Sequence, residues 1–136
     1  MAPGSHHYAE QLRKAKLRPT RQRLDLARLL FAGGDRHVTA EGLHEEAVKA
    51  GVPVSLATVY NTMHQFTQSG LLREVTVDGS RIYFDTNTGN HHHFYCEDDG
   101  SLMDIDGDCI EVGGVPAPPA GAQIDRVDVI VRLKRR

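Results

Sequence analysis

The stretch Val52–Leu72, VPVSLATVYNTMHQFTQSGLL, constrains the fold of this chain more than any other. Pro53 cannot continue a helix arriving from upstream, and Ser55 can cap a new one through its hydroxyl. Leu56, Val59, Tyr60, Met63 and Phe66 then recur at helical spacing, which predicts an apolar face. Ala57, Thr58, Asn61, Thr62 and Gln65 fall on the opposite side, and no Asp, Glu, Lys or Arg occurs between Ser55 and Leu72. A helix side that only meets water would carry Lys and Glu. Short neutral side chains instead suit the base edges of a DNA groove, with Asn pairing to adenine and Thr or Ala methyls touching thymine. Gly70 ends the helix, and Leu71, Leu72, Val75 and Val77 begin a strand expected to turn at Asp78–Gly79 into Ile82, Tyr83 and Phe84. A helix running into such a hairpin is the outline of a winged helix-turn-helix.

The chain before this stretch reads as helical. Ser5 to Ala15 predicts a short amphipathic helix carrying Tyr8 and Leu12, and Thr20 can cap a second whose buried stripe is Leu24, Leu26, Ala27, Leu30 and Phe31. Gly33-Gly34 stops it. Thr39 caps a third, with Leu43, Ala47 and Val48 inward, that runs to Ala50-Gly51. Beyond the polar segment Thr86–Asn90 the periodicity changes to that of strands. His92, Phe94 and Cys96 alternate with His93, Tyr95 and Glu97, Glu97–Gly100 is a turn, and Ser101–Ile105 is a partner strand. Cys109–Val112 is a candidate for brief pairing, Gly113–Gly121 holds three prolines and should be irregular, and Val127–Arg132 alternates as a last strand. The expected organisation is α+β, with a DNA-binding part at 1–85, a hinge at 86–90 and a second domain at 91–136.

Charge divides along the same line. Glu10–Arg36 holds eight basic residues against three acidic ones, whereas Ile82–Glu111 holds eight acidic residues and no Lys or Arg, although the net charge is only −2. The first part suits phosphates and the second a cation. Arg18, Arg21 and Arg23 would be a solvated helix face in most proteins; here Asp25 is the one acid close by, which favours phosphate contacts. No apolar run is long enough to span a membrane and the first residues lack the pattern of a signal peptide, so a cytoplasmic protein is expected. Two cysteines, Cys96 and Cys109, make no Cys-x-x-Cys motif and no disulfide framework.

The densest chemical signal is His91-His92-His93, three of the eight histidines. On a strand His91 and His93 share one face and His92 takes the other, so further ligands to any ion must come from elsewhere. Imidazole with nearby Asp85 and Asp104 suits Fe, Mn or Zn, or haem iron. Equally, such histidines can be a solvent-exposed polar cluster, or can simply hydrogen-bond at a strand end. His44 and His64 read as surface residues, and His6-His7 as incidental.

These motifs together resemble the ferric uptake regulator (Fur) superfamily. The resemblance is carried in order by Leu17-Arg18-Pro19-Thr20-Arg21-Gln22-Arg23, by His37-Val38-Thr39-Ala40-Glu41, by Ser55-Leu56-Ala57-Thr58-Val59-Tyr60-Asn61-Thr62 and by the His triplet. Asp85-Thr86-Asn87-Thr88, His91-His92-His93-Phe94 and Arg126-Val127-Asp128-Val129-Ile130-Val131-Arg132-Leu133 look most like its iron response regulator (Irr) branch. The resemblance implies a winged-helix DNA-binding domain and a C-terminal α/β dimerisation domain, whose helix is expected to be short or absent. It implies a homodimer controlling iron or haem genes; a two-fold dimer calls for a pseudo-palindromic operator, and AT-rich half-sites would suit the Thr, Ala and Asn contacts. It also implies DNA contacts from Arg18, Thr20, Arg21, Arg23, Ser55, Ala57, Thr58, Tyr60 and Asn61, and a regulatory metal held by His37, Asp85, His91, His93 and Asp104. His91, His92 and His93 are the haem candidates, since Cys96 precedes Glu97 and Cys109 precedes Ile110 where a haem motif would need Cys-Pro. The family's structural zinc uses Cys-x-x-Cys, whose second position is Asp99 here, so no structural zinc is expected. Only Glu111 matches the family's second His-rich site. The competing readings are a metal-dependent hydrolase built on His91, His93 and Asp104, and a haem carrier with no DNA role.

Overall fold

A computed structural model describes residues 5–78 and 81–136. The chain falls into two compact units, Met1–Thr88 and Gly89–Arg136.

In the first unit, helix α1 (Ser5–Lys14) buries Tyr8 and Leu12. Thr20 sits in extended backbone and accepts a hydrogen bond from the Arg23 N–H at 3.3 Å, which starts α2 (Arg21–Phe31). The short strand β1 (His37–Val38) leads to Thr39, which caps α3 (Ala40–Lys49) by accepting from the Gly42 N–H at 3.1 Å. Ser55 does the same for α4 (Leu56–Gln68), accepting from the Thr58 N–H at 3.1 Å. Strands β2 (Arg73–Asp78) and β3 (Arg81–Asp85) then pair antiparallel, and β1 adds to the far side of β3, giving the order β1-β3-β2. Gly79 and Ser80, and with Gly79 the expected Asp78–Gly79 turn, lie outside the described residues. Leu26, Leu30, Leu43, Val59, Met63, Phe66 and Phe84 are fully buried in one core that also takes Tyr8 and Leu12. This is the winged helix-turn-helix that the sequence outlined.

Helix phase differs from expectation at particular residues. Leu56 is 37% exposed, because it is the first residue of α4 and the axis has not yet carried it over the core. Thr62 is buried instead of facing outward, since the inward stripe is Val59, Thr62, Met63 and Phe66. Tyr60 therefore stands at the edge of that stripe, half-buried. Val48 is 61% exposed, about 100° around α3 from Ala47, which holds the inward position with Ala40 and Leu43.

The second unit is a three-stranded sheet of order β5-β4-β6, formed by β4 (His91–Cys96), β5 (Ser101–Asp106) and β6 (Ile130–Leu133). β4 lies in the middle, antiparallel to β5 and parallel to β6, so both of its edges are paired, and all its residues are buried except the half-buried Phe94. Parallel neighbours cannot be joined by a tight turn. The connection from β4 to β6 runs through β5 itself, then a 3₁₀ turn, Gly107–Cys109, and irregular chain. Cys109–Val112 consequently forms no strand, and the last strand begins at Ile130 instead of Val127, although the Val129 carbonyl already accepts from the His93 N–H at 3.1 Å. A Cβ on Gly107 would stand 2.7 Å from the Asn90 carbonyl oxygen, so the crossover needs glycine there. Among the described residues of this unit there is no α-helix.

Candidate nucleic-acid interface and metal ligands

The outer side of α4 presents Ala57, Asn61 and His64, all exposed, with Thr58 and Gln65 half-buried beside them. A recess of about 260 Å³ runs along this side, lined by Thr20, Gln22 and Arg23 from α2 and its cap, and by Thr58, Asn61 and Gln65 from α4. Arg23 ties the two helices together, donating to the Arg18 carbonyl at 2.9 Å and to Gln65 Oε1 at 3.0 Å. Thr20 and Ser55 spend acceptor capacity on their caps, and the Ser55 hydroxyl also donates to Thr58 Oγ1 at 2.9 Å. Arg18 and Arg21 are exposed; Arg21 Nε lies 3.6 Å from Asp25, which also faces Arg28 at 3.6 Å.

Tyr60 has a partner that sequence reasoning missed. Its hydroxyl donates to Glu41 Oε1 at 2.6 Å. This bond raises the pKa of the phenol, because ionisation would set two negative charges together, and lowers that of the Glu41 carboxyl, which gains a donor. His64 stacks on the Tyr60 ring at 6.3 Å, so it belongs to the same exposed stripe. The signal for His64 was present in the sequence as its i+3 spacing from Asn61; Glu41, nineteen residues from Tyr60, carried none.

The candidate metal ligands come as a set in each unit. In the first, the β1–β3 register places His37 opposite Asp85, with His37 Nε2 3.2 Å from Asp85 Oδ2. Asp85 is fully buried and accepts from the Asn87 N–H at 2.9 Å. A carboxylate removed from water in this way calls for compensating charge or donors. In the second unit, His93 pairs across with Asp104, whose Oδ1 lies 3.5 Å from His93 Nε2 and 3.6 Å from His91 Nε2. One ligand atom from each of these three lies within 4.8 Å of the others. His91 Nδ1 is 2.7 Å from the Gly89 carbonyl, which can only accept, so in the neutral ring the proton is on Nδ1 and the Nε2 lone pair is left for an ion. This nitrogen and oxygen set fits a borderline or hard divalent cation.

His92 is oriented differently. Its Nδ1 accepts from the Val129 N–H at 3.0 Å, so in the neutral ring the proton sits on Nε2 and no lone pair remains to ligate iron. At the position where a Cys-x-x-Cys pair would have its second cysteine, Asp99 accepts from the Ser101 hydroxyl at 2.7 Å and from Arg135 at 2.8 Å. These donors hold its carboxyl well below the usual carboxylate range. Cys96 is buried and Cys109 exposed.

A winged helix with an uncharged outer face, followed by a sheet bearing His and Asp ligands, defines a DNA-binding regulator with metal-ligating capacity. Comparison with known proteins supplies the family. Residues 14–118 match the ferric uptake regulator family, and the chain belongs to it. The chain is 35% identical over 96 residues to the Ferric uptake regulation protein of Pseudomonas aeruginosa, covering 70% of this chain and 72% of that one. It is 37% identical over 94 residues to the Peroxide-responsive repressor PerR of Staphylococcus epidermidis, covering 69% and 62%. The solved structure of the Pseudomonas aeruginosa ferric uptake regulator with manganese superposes with a TM-score of 0.73 at 26% identity, over 95% of this chain and 98% of that one. The family is one of transcriptional regulators and not of enzymes, which removes the hydrolase reading. No helix among the described residues is long and apolar enough to cross a membrane.

Proposed function

We propose that this protein is a cytoplasmic, homodimeric regulator of iron or haem genes of the Irr type, which binds an AT-rich, pseudo-palindromic operator through α4 and responds to a divalent metal. The exposed, uncharged side of α4 beside the basic corner of α1 and α2 carries the DNA part of this reading. Asn61, Ala57 and Thr58 read bases, with Tyr60 at the edge of the groove, while Ser55, Thr20, Arg18, Arg21 and Arg23 hold the phosphates. The Irr assignment rests on Asp85–Thr88, His91–Phe94 and the sequence Arg126–Leu133.

His37 and Asp85 from the DNA-binding unit, with His91, His93 and Asp104 from the second, are proposed as ligands of one ion. Iron, manganese or zinc would each suit the set, and manganese accompanies the solved Pseudomonas aeruginosa relative. An ion held by ligands from both sides of the 86–90 segment would favour one arrangement of the two units, and a coupling of roughly 1–3 kcal/mol to DNA is the usual scale. Structural zinc is not part of the proposal. Haem remains a second ligand through His91 or His93, whose Nε2 atoms face Asp104.

The deciding experiment is a titration of AT-rich duplexes with metal-free protein, repeated with Fe, Mn, Zn and haem in turn, for the parent and for His91→Ala/His93→Ala. The double variant should fold and bind DNA but lose ligand dependence. A variant that still responds as the parent does would place the switch elsewhere.

A further inference from the structure

Three helices of the first unit end in the same way, and one of them ends on the wrong residue. At the end of α3, Gly51 N–H donates to the Val48 carbonyl at 3.1 Å and Val52 N–H to the Ala47 carbonyl at 2.8 Å. At the end of α4, Gly70 donates to Thr67 at 3.1 Å and Leu71 to Phe66 at 2.9 Å. Both glycines have the left-handed backbone this pair of bonds demands, φ +74° and +82°. At the end of α1 the pattern repeats: Lys16 donates to Arg13 at 2.9 Å and Leu17 to Leu12 at 2.9 Å. Here the left-handed position, at φ 63°, is a lysine, and it is the one non-glycine residue with positive φ among the described residues.

A Cβ in this conformation crowds the following carbonyl, so glycine would be the less strained choice. Packing does not account for the lysine, because Lys16 is exposed. Nor does an ion pair, since no carboxylate among the described residues partners it. Of the basic side chains around it, Arg13 pairs with Glu10 at 2.8 Å, and Arg23 binds the Arg18 carbonyl and Gln65. That last link sets the segment after Lys16 alongside the outer side of α4. The cap fixes the left-handed turn here as it does after α3 and α4, so what the packing leaves unexplained is a lysine where glycine is less strained, and a strained residue of this kind points to a functional position.

We infer that Lys16 is a further DNA-backbone contact, held out of the helix end by a left-handed turn that the chain tolerates in order to place an ammonium group against a phosphate. The inference rests on the regulator reading above. It adds to the basic corner a residue with no base-reading role, whose contribution is independent of sequence and steep in salt.

The test uses the full chain, with Lys16→Gly and Lys16→Gln beside the parent, on an AT-rich and a mixed-sequence duplex across a salt series, metal-free and with manganese. Removing one phosphate contact should weaken both duplexes by about fivefold near 0.15 M salt and flatten the slope of log K against log salt by about 0.9. Both variants should lose this equally. Lys16→Gly, relieved of strain, should also unfold at a midpoint a few degrees above the parent, whereas Lys16→Gln should not. If the parent binds DNA and either variant binds with the same affinity and slope, Lys16 is not a contact, and the regulator reading stands without it. A glycine variant less heat-stable than the parent would show that lysine is there for the fold, which also overturns the inference. A parent with no salt-dependent DNA binding in any state sinks both readings together.

Discussion

Replacing Asn61 by Ala separates base reading from every other role this residue could have. Asn61 is exposed on α4, and the buried stripe of the helix runs through Val59, Thr62, Met63 and Phe66, so truncation opens no cavity. Alanine is the better helix former by a few tenths of a kcal/mol, which makes the expected change in stability slightly positive. The loss should therefore appear only on DNA. A bidentate Asn–adenine pair discriminates by about 1–3 kcal/mol, a factor of roughly 5–150 in affinity for the preferred operator. Binding to a mixed-sequence duplex of equal length should hardly change, because the phosphate contacts remain. Fluorescence anisotropy with both duplexes at one salt concentration measures the two numbers side by side. Equal losses on both would mean that Asn61 supports the surface without reading it, and the assignment of the α4 outer face would fail with it.

Other expectations follow from single contacts. Arg21→Ala should weaken operator and mixed-sequence DNA alike and reduce the salt slope by about 0.9, with folding unaffected, because its side chain is 91% exposed and Asp25, which it approaches at 3.6 Å, keeps Arg28 at 3.6 Å. Cys96→Ser with Cys109→Ser should leave a folded protein with the metal content of the parent by elemental analysis; stoichiometric zinc lost with the thiols would show a thiolate site after all. Gly70→Ala should cost roughly 1 kcal/mol of stability through backbone strain alone, read as a lower thermal midpoint, since nothing lies within 4 Å of the added Cβ. Glu41→Gln should bring the raised Tyr60 phenol back toward its ordinary titration, followed by ultraviolet absorbance. The small stability supplied through the depressed Glu41 carboxyl is present above the usual Glu range and fades as pH falls through its folded value, a fade the variant should lack.

The sequence by itself determined what is local. Thr20, Thr39 and Ser55 announced three helix starts because a cap needs only its own hydroxyl and an N–H three residues on. Gly51 and Gly70 announced two ends for the same kind of reason, and strand alternation separated His91 and His93 from His92 before any partner was known. Tertiary structure decided the rest. The pairing of His37 with Asp85 depends on β1 joining β3 across forty-eight residues, and the parallel register of β6 beside β4 depends on how an irregular crossover closes. Helix phase was legible only to within one residue of the stripe's edge, where Leu56, Thr62 and Val48 changed sides, because hydrophobicity gives the period while the neighbouring helices set the angle. The bond from Tyr60 to Glu41 had no sequence signal, since two separate helices must be packed before those side chains can meet.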